Sequence, residues 1–193
     1  MQTRLLALKS AVPSFPIDQP AAAARAGQLF KNVRDIDRFM PVFTNTGIEK
    51  RYSCVPIDWY NETHGWKDRT ELFISNAVNL LEEVARKLLA EARLKVEDID
   101  TIVVASTTGV ATPSLDALVV ERLNMRRDIR RLPIFGLGCA GGVVGISRAA
   151  AMAEAYPGSK VLYLVVELCA LTFRKNDTSK SNIVATALFG DGA

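Results

Sequence analysis

Cys139 has the most chemistry to offer of any residue in the chain. It stands in Gly136-Leu137-Gly138-Cys139-Ala140-Gly141-Gly142, between an apolar run and an Ala-rich run. A cysteine at a strand-to-helix turn, flanked by small residues, is pushed into the open, and the positive end of the following helix favours its thiolate. Glycines at 136, 138, 141, 142 and 145 carry the backbone entropy that Gly costs, and close approach of a substrate is a reason to carry it. These features predict a nucleophile. The segment also matches G-x-G-x-x-G literally, and Val161–Val166 runs into an acid, Glu167, as a dinucleotide site would require. That reading fails on spacing. Glu167 lies 26 residues past Gly141, against roughly 20 in the fingerprint, and the motif begins only at residue 136 rather than on a first strand.

The remaining candidates are few. Cys54, Cys139 and Cys169 are odd in number and widely spaced, with no C-x-x-C pair. They read as reduced thiols, without a disulfide framework or a metal site. The single imidazole, His64, lies in the polar stretch Asn61-Glu62-Thr63-His64-Gly65, far upstream of Cys139, and is expected to be non-catalytic.

The elements that position Cys139 are legible from periodicity. Phe73, Ala77, Leu80, Leu81, Val84, Leu88 and Ala92 recur at three- and four-residue steps, one face of a long helix over 70–92. Thr101–Ala105, Leu132–Leu137 and Val161–Val166 read as buried strands. Thr112-Pro113 reads as an N-cap followed by Pro at the first helical position, opening a helix through Leu123, and Val143–Ala155 is a further helix. Buried strands alternating with helices imply an α/β fold with the sheet covered on both faces.

Composition bounds the rest. The chain has 193 residues, 49% apolar and 23% charged, which suits one packed globular domain. A net charge of +3 is too weak for a nucleic-acid partner. No run approaches the roughly 18 apolar residues of a membrane span. The apolar stretch within Met1–Leu8 is too short for a leader, so a cytoplasmic protein is expected. Arg122, Arg126, Arg127, Arg130 and Arg131 form a basic cluster that reads as a solvated face. After Gly190-Asp191-Gly192 the sequence stops with no closing helix, so 1–193 reads as a domain cut before its end.

Four segments together carry a resemblance. Ser106–Asp116, Gly138-Cys139-Ala140-Gly141-Gly142, Val165–Phe173 and Ala187-Leu188-Phe189-Gly190-Asp191-Gly192-Ala193 are similar, in order and spacing, to the N-terminal half of type III polyketide synthases, the chalcone and stilbene synthase superfamily. The short Gly-Cys-Ala-Gly-Gly and the Thr112-Pro113-Ser114-Leu115-Asp116-Ala117 run look more like the bacterial branch, including alkylresorcinol and alkylpyrone synthases, than the plant chalcone synthases. The resemblance implies the N-terminal lobe of a thiolase-like, layered α/β/α fold. It implies a homodimer whose subunits act on acyl-CoA and malonyl-CoA, with CoA thioesters as substrates and no cofactor. Cys139 would take the acyl starter, extended by decarboxylative condensation. Cys169 and Thr172 fall where the family lines its starter and cyclisation pocket, and Phe189 where a Phe gates the CoA tunnel. Thr112 falls where a residue crosses the dimer interface, and Arg38 and Arg51 are candidates for CoA phosphate contacts. Cys169 replaces a Thr common in plant members, so product type does not carry over.

The family's catalytic His and Asn lie downstream of the Gly-Asp-Gly corner, so this chain alone is expected to be inactive. Two other readings remain: a ketoacyl synthase of fatty-acid synthesis, against which Glu167–Phe173 argues, and a non-catalytic partner subunit that keeps the thiolase fold.

Overall fold

The computed structural model describes residues 3–193. Met1 and Gln2, which open the run weighed as a leader, lie outside the described residues. In chain order the strands and α-helices are β1 (Phe15–Asp18), α1 (Gln19–Leu29), α2 (Val42–Asn45), β2 (Lys50–Ser53), α3 (Trp66–Ala92), β3 (Thr101–Ser106), α4 (Leu115–Arg122), β4 (Arg130–Phe135), α5 (Gly141–Ala155), β5 (Val161–Val165), β6 (Glu167–Leu168), α6 (Lys180–Leu188) and β7 (Asp191–Gly192). The chain divides into two compact units. The sheet unit takes the chain up to Ala11, Phe73–Glu167 and Gly192–Ala193; the pocket unit takes Val12–Leu72 and Leu168–Asp191.

The sheet unit is built on three parallel strands in the order β4-β3-β5. Thr101 pairs with Arg130 on one side and with Val161 on the other, and the register runs on to Ser106 and Phe135. Every residue of β3 is buried, as a central strand covered on both faces requires. α5 packs on all three strands and α4 on β3 and β4. α3 brings Phe73, Ala77, Leu81, Val84 and Ala85 into the core beside Ile102, Val103, Val119 and Leu162. Its exposed side is laced by Glu82–Arg86 and Glu83–Lys87 pairs four residues apart.

Three expectations are corrected here. The strand read over Leu132–Leu137 is not buried: β4 is an edge strand spanning Arg130–Phe135, with Pro133 and Phe135 exposed. Pro cannot donate to a ladder, which suits an edge. The helix read from Thr112-Pro113 starts later, at Leu115 after Ser114, and Thr112-Pro113 is a cis peptide bond in the preceding loop. The helix after Cys139 begins two residues earlier than read, at Gly141. The basic cluster is a face of paired charges: Arg122 with Glu82 at 3.0 Å, Arg126 with Asp100 at 3.1 Å, Arg131 with Asp116 at 3.5 Å, and Arg130 over the Tyr156 ring at 3.8 Å.

In the pocket unit β1 and β2 pair antiparallel, Phe15 opposite Ser53 and Asp18 opposite Lys50. Its core gathers Phe30, Phe43, Phe173 and Ile183 with Ala26 and Ala187. Ser179 caps α6 by accepting the Asn182 N–H at 3.3 Å.

Gly109 shows how tightly the sheet unit is closed. A Cβ built there would overlap the buried Phe73 ring. Gly109→Ala is therefore expected to cost about 1–3 kcal/mol, the usual toll of overpacking. Thermal unfolding of Gly109→Ala and of Gly109→Ala with Phe73→Leu checks it; the second change is expected to restore part of the lost stability.

Candidate active site

Parallel strands end at one edge of their sheet, and ligands of open α/β sheets bind beyond that edge. β3, β4 and β5 run here into Thr107-Thr108, Gly136–Cys139 and Val166-Glu167 respectively. These three strand exits are tied together. Glu167 Oε2 accepts the Thr107 N–H at 3.1 Å, the Thr108 N–H at 3.0 Å and the Thr108 hydroxyl at 2.7 Å. Thr107 Oγ1 in turn accepts the Gly138 N–H at 2.9 Å. A carboxylate that gathers three donors makes charge-assisted bonds, stronger than neutral ones. The turn that carries Cys139 is thus held from β5 through the β3 exit.

Cys139 is exposed, in the single 3-10 turn Gly138–Ala140 that leads into α5. Gly136 and Gly138 have φ of +83° and +54°, a backbone region that side chains with a Cβ rarely adopt. Those two glycines make the turn; Gly145 serves packing. A Cβ at Gly145 would overlap the Tyr163 side chain, whose hydroxyl donates to the carbonyls of Gly141 at 2.7 Å and Gly142 at 3.3 Å. Tyr163 therefore braces the first turn of α5, and partial burial pushes its phenol pKa up. Thr112 is exposed in the loop before α4, also in the sheet unit.

The pocket unit brings together three of the other residues read as functional. Cys169, Thr172 and Phe189 line one pocket of about 100 Å³, with Ala22, Ala26, Leu29, Phe30 and Phe173 among its apolar walls. Cys169 opens a single turn closed at Thr172, whose hydroxyl donates to the Cys169 carbonyl at 2.8 Å. Arg51 also reaches the pocket, but its guanidinium is committed elsewhere. It donates to the carbonyls of Thr186, Ala187 and Phe189 at the end of α6, and to the Gln19 side chain. Arg51 is thus a brace of the α6 C-terminus, where cations are favoured, rather than a free phosphate ligand. Burial lowers its pKa. Arg38 is exposed at the end of the turn Ile36–Arg38 and does not line the pocket.

His64 is structural. Its ring stacks on Trp59 with centroids 3.9 Å apart, Nε2 lies 2.9 Å from the Trp59 carbonyl, and Arg69 sits over the same indole at 5.0 Å. Cys54 is buried, and burial together with the neighbouring Asp191 carboxyl pushes its thiol far up. Among the described residues no group of three His, Cys, Asp or Glu side chains could hold a metal ion, and no helix is long and apolar enough to cross a membrane.

Reasoning from the sequence did not assign Thr107, Tyr163 or Asp191, and considered Glu167 only as a dinucleotide acid. The available signal was topological: Thr107 and Glu167 directly follow strands that a parallel sheet must end at the same edge as Cys139.

The chain is an α/β protein that sets an exposed cysteine on a glycine-shaped turn at the carboxyl edge of a parallel sheet. The chain belongs to the chalcone and stilbene synthase family, the type III polyketide synthases: residues 3–193 match the N-terminal domain of that family. It is 41% identical over 150 residues to the 1,3,6,8-tetrahydroxynaphthalene synthase of Streptomyces peucetius, covering 78% of this chain and 40% of that enzyme. It is 29% identical over 191 residues to the alpha-pyrone synthesis polyketide synthase-like Pks18 of Mycobacterium tuberculosis, covering 96% of this chain and 48% of that protein. The crystal structure of the tetrahydroxynaphthalene synthase of Streptomyces coelicolor superimposes with a TM-score of 0.91 at 30% identity, covering 95% of this chain and 53% of that one. The fold is thus the thiolase-like α/β fold of the N-terminal half of these synthases, and the chain spans about half the length of the relatives it matches.

The exposures order the three thiols. Limiting iodoacetamide followed by peptide mapping is expected to label Cys139 first, Cys169 more slowly and Cys54 only on unfolding, because the alkylated species is the accessible thiolate. Labelling of Cys54 or Cys169 ahead of Cys139 would refute the expectation that Cys139 is the nucleophile.

Proposed function

We propose that this chain carries the nucleophile and the acyl pocket of a type III polyketide synthase. The observation that carries the reading is Cys139: exposed, on a turn shaped by Gly136 and Gly138, and pinned through Thr107 to Glu167. In the reaction, Cys139 Sγ attacks the thioester carbonyl of an acyl-CoA. The carbonyl–sulfur bond to CoA breaks, and CoA leaves as its thiol with the proton given up by Cys139. Malonyl-CoA then loses CO₂, and the carbanion so formed attacks the acyl carbon on Cys139. A carbon–carbon bond forms, the Cys139 thiolate is released, and the extended chain stays on CoA.

The starter we infer is an acyl chain with a sizeable apolar part, as in alkylresorcinol and alkylpyrone synthesis. The walls supplied by Ala22, Ala26, Leu29, Phe30 and Phe173 beside Cys169, Thr172 and Phe189 support it, since such pockets recognise ligands mainly by apolar contact. Exposed Arg38 is our candidate for a CoA phosphate contact. We further propose a homodimer with Thr112 near its interface, in cytoplasm. The base and oxyanion donor of the condensation are to be sought outside this chain, because its single imidazole is engaged on Trp59.

Two measurements test this reading on a protein that carries the chain at the length of its relatives. Formation of condensed product from malonyl-CoA plus a fatty acyl-CoA is expected to fall on the order of 10⁵-fold in Cys139→Ala, as loss of a catalytic nucleophile does. Activity that survives Cys139→Ala would overturn the reading. Light scattering at micromolar concentration is expected to give the mass of a dimer, and a monomer would remove the role given to Thr112.

A further inference from the structure

Asp191 is a buried carboxylate with no role in the chemistry above. Its two oxygens face different segments: Oδ2 accepts the backbone N–H of Cys54 at 2.7 Å, and Oδ1 accepts that of Ala170 at 2.8 Å. Cys54 directly follows β2, and Ala170 is the second residue of the Cys169–Thr172 turn. Asp191 itself comes two residues after Phe189. Cys169, Ala170 and Thr172 form one wall of the pocket and Phe189 another, so this side chain ties both walls to β2, beside the short strand pairing of Glu167–Leu168 with Asp191–Gly192.

The anchor is stiff on each side. A Cβ at Gly190 would meet Arg51 Cβ at 3.2 Å and the Tyr52 carbonyl oxygen at 3.6 Å, so the corner lies flat against β2. The Phe189 carbonyl is held by Arg51 at 3.2 Å. Ser53 and Tyr60, hydroxyl to hydroxyl at 3.1 Å, close the other side of the Cys54 segment. A buried carboxylate is expensive unless its oxygens are used. Here one oxygen is used on the Cys169–Thr172 wall and the other on the segment that follows β2. A hydrophobic corner would fill the same space without setting the distance between those walls.

We propose that Asp191 is a positioning residue that sets the width of the acyl pocket and hence the starter length the pocket accepts; this rests on the reading of that pocket given above. In Asp191→Asn the carboxamide keeps one acceptor and turns an NH₂ against the other N–H. One wall is released, and longer chains should be admitted.

The test compares the natural sequence, Asp191→Asn and Cys54→Ala, each in a protein that carries the chain at the length of its relatives. Cys54→Ala is the control, because it removes the thiol that hydrogen-bonds Asp191 but keeps the backbone N–H that ties the carboxylate to the β2 segment. Two readouts are taken: equilibrium dissociation constants for hexanoyl-CoA and myristoyl-CoA, and kcat/KM for the same starters with malonyl-CoA. Asp191→Asn is expected to move the myristoyl-to-hexanoyl preference about fivefold toward the longer chain in both readouts, about what one lost hydrogen bond can shift. Cys54→Ala is expected to keep the preference of the natural protein at whatever thermal stability it shows. An unmoved preference in Asp191→Asn overturns the proposal, as does an equal shift in Cys54→Ala, which would mean general loosening. If Asp191→Asn does not fold, Asp191→Glu carries the same test. It keeps both acceptors but lengthens the tie by a methylene, and an unmoved preference there counts equally against the proposal. Absence of turnover in the natural protein would refute the synthase reading, while the dissociation constants still decide the role of Asp191.

Discussion

The site in the sheet unit depends on the parallel pairing of β3 with β4 and β5. Parallel pairing delivers three chain exits to one edge, and each exit leaves backbone N–H groups that the ladder no longer uses. Glu167 collects those of Thr107 and Thr108, and the Thr107 hydroxyl collects that of Gly138. The cysteine turn is therefore not an independent loop. Its left-handed glycines set its path, but its position relative to the sheet is set by the carboxylate at the end of β5. Tyr163 works from the same strand, bracing the first carbonyls of α5 across a surface that only Gly145 leaves open.

The pocket unit solves a related problem with buried charge. Arg51 is half-buried and Asp191 buried, and both turn polar atoms to backbone: Arg51 to the carbonyls ending α6, beside the Gln19 side chain, and Asp191 to two N–H groups. Burial disfavours the charged form of each, lowering the pKa of Arg51 and raising that of Asp191. Such groups are retained where they fix geometry that apolar packing leaves adjustable. In this unit the fixed geometry is that of the pocket walls around Cys169, Thr172 and Phe189. A wall held by hydrogen bonds of fixed length keeps its spacing when the apolar side chains around it repack.

Several features were legible in the residues alone. The periodicity of Phe73 to Ala92 marks α3, the β-branched run at Thr101 marks the central strand, and the glycines around Cys139 mark an exposed turn. These are local properties, set by side-chain period, by the special φ of glycine and by the bulk of neighbours, and they survive in one dimension. The family followed from the order of four such motifs, and Cys139 stood out because its own neighbours shape it.

Other features were decided by the tertiary structure, each because the deciding partner is distant in sequence. Leu132 and Ile134 look like a buried strand, but β4 became an edge because β3 took the centre, where pairing on both sides buries every residue. Arg51 looks like a free cation until α6, some 135 residues later, presents its last carbonyls to it. Glu167 reads as the acid at the end of a strand, and only the parallel register brings Thr107 within its reach, 60 residues away. Asp191 sits in a corner whose sequence announces a turn and nothing more. Its two bonds, to Cys54 and Ala170, exist because folding brings together backbone groups that no local pattern encodes. The sequence by itself determined which residues could react and which backbone could turn. The tertiary structure decided which polar groups are held in place, since a hydrogen-bond partner is chosen by distance in space and leaves no periodic trace along the chain.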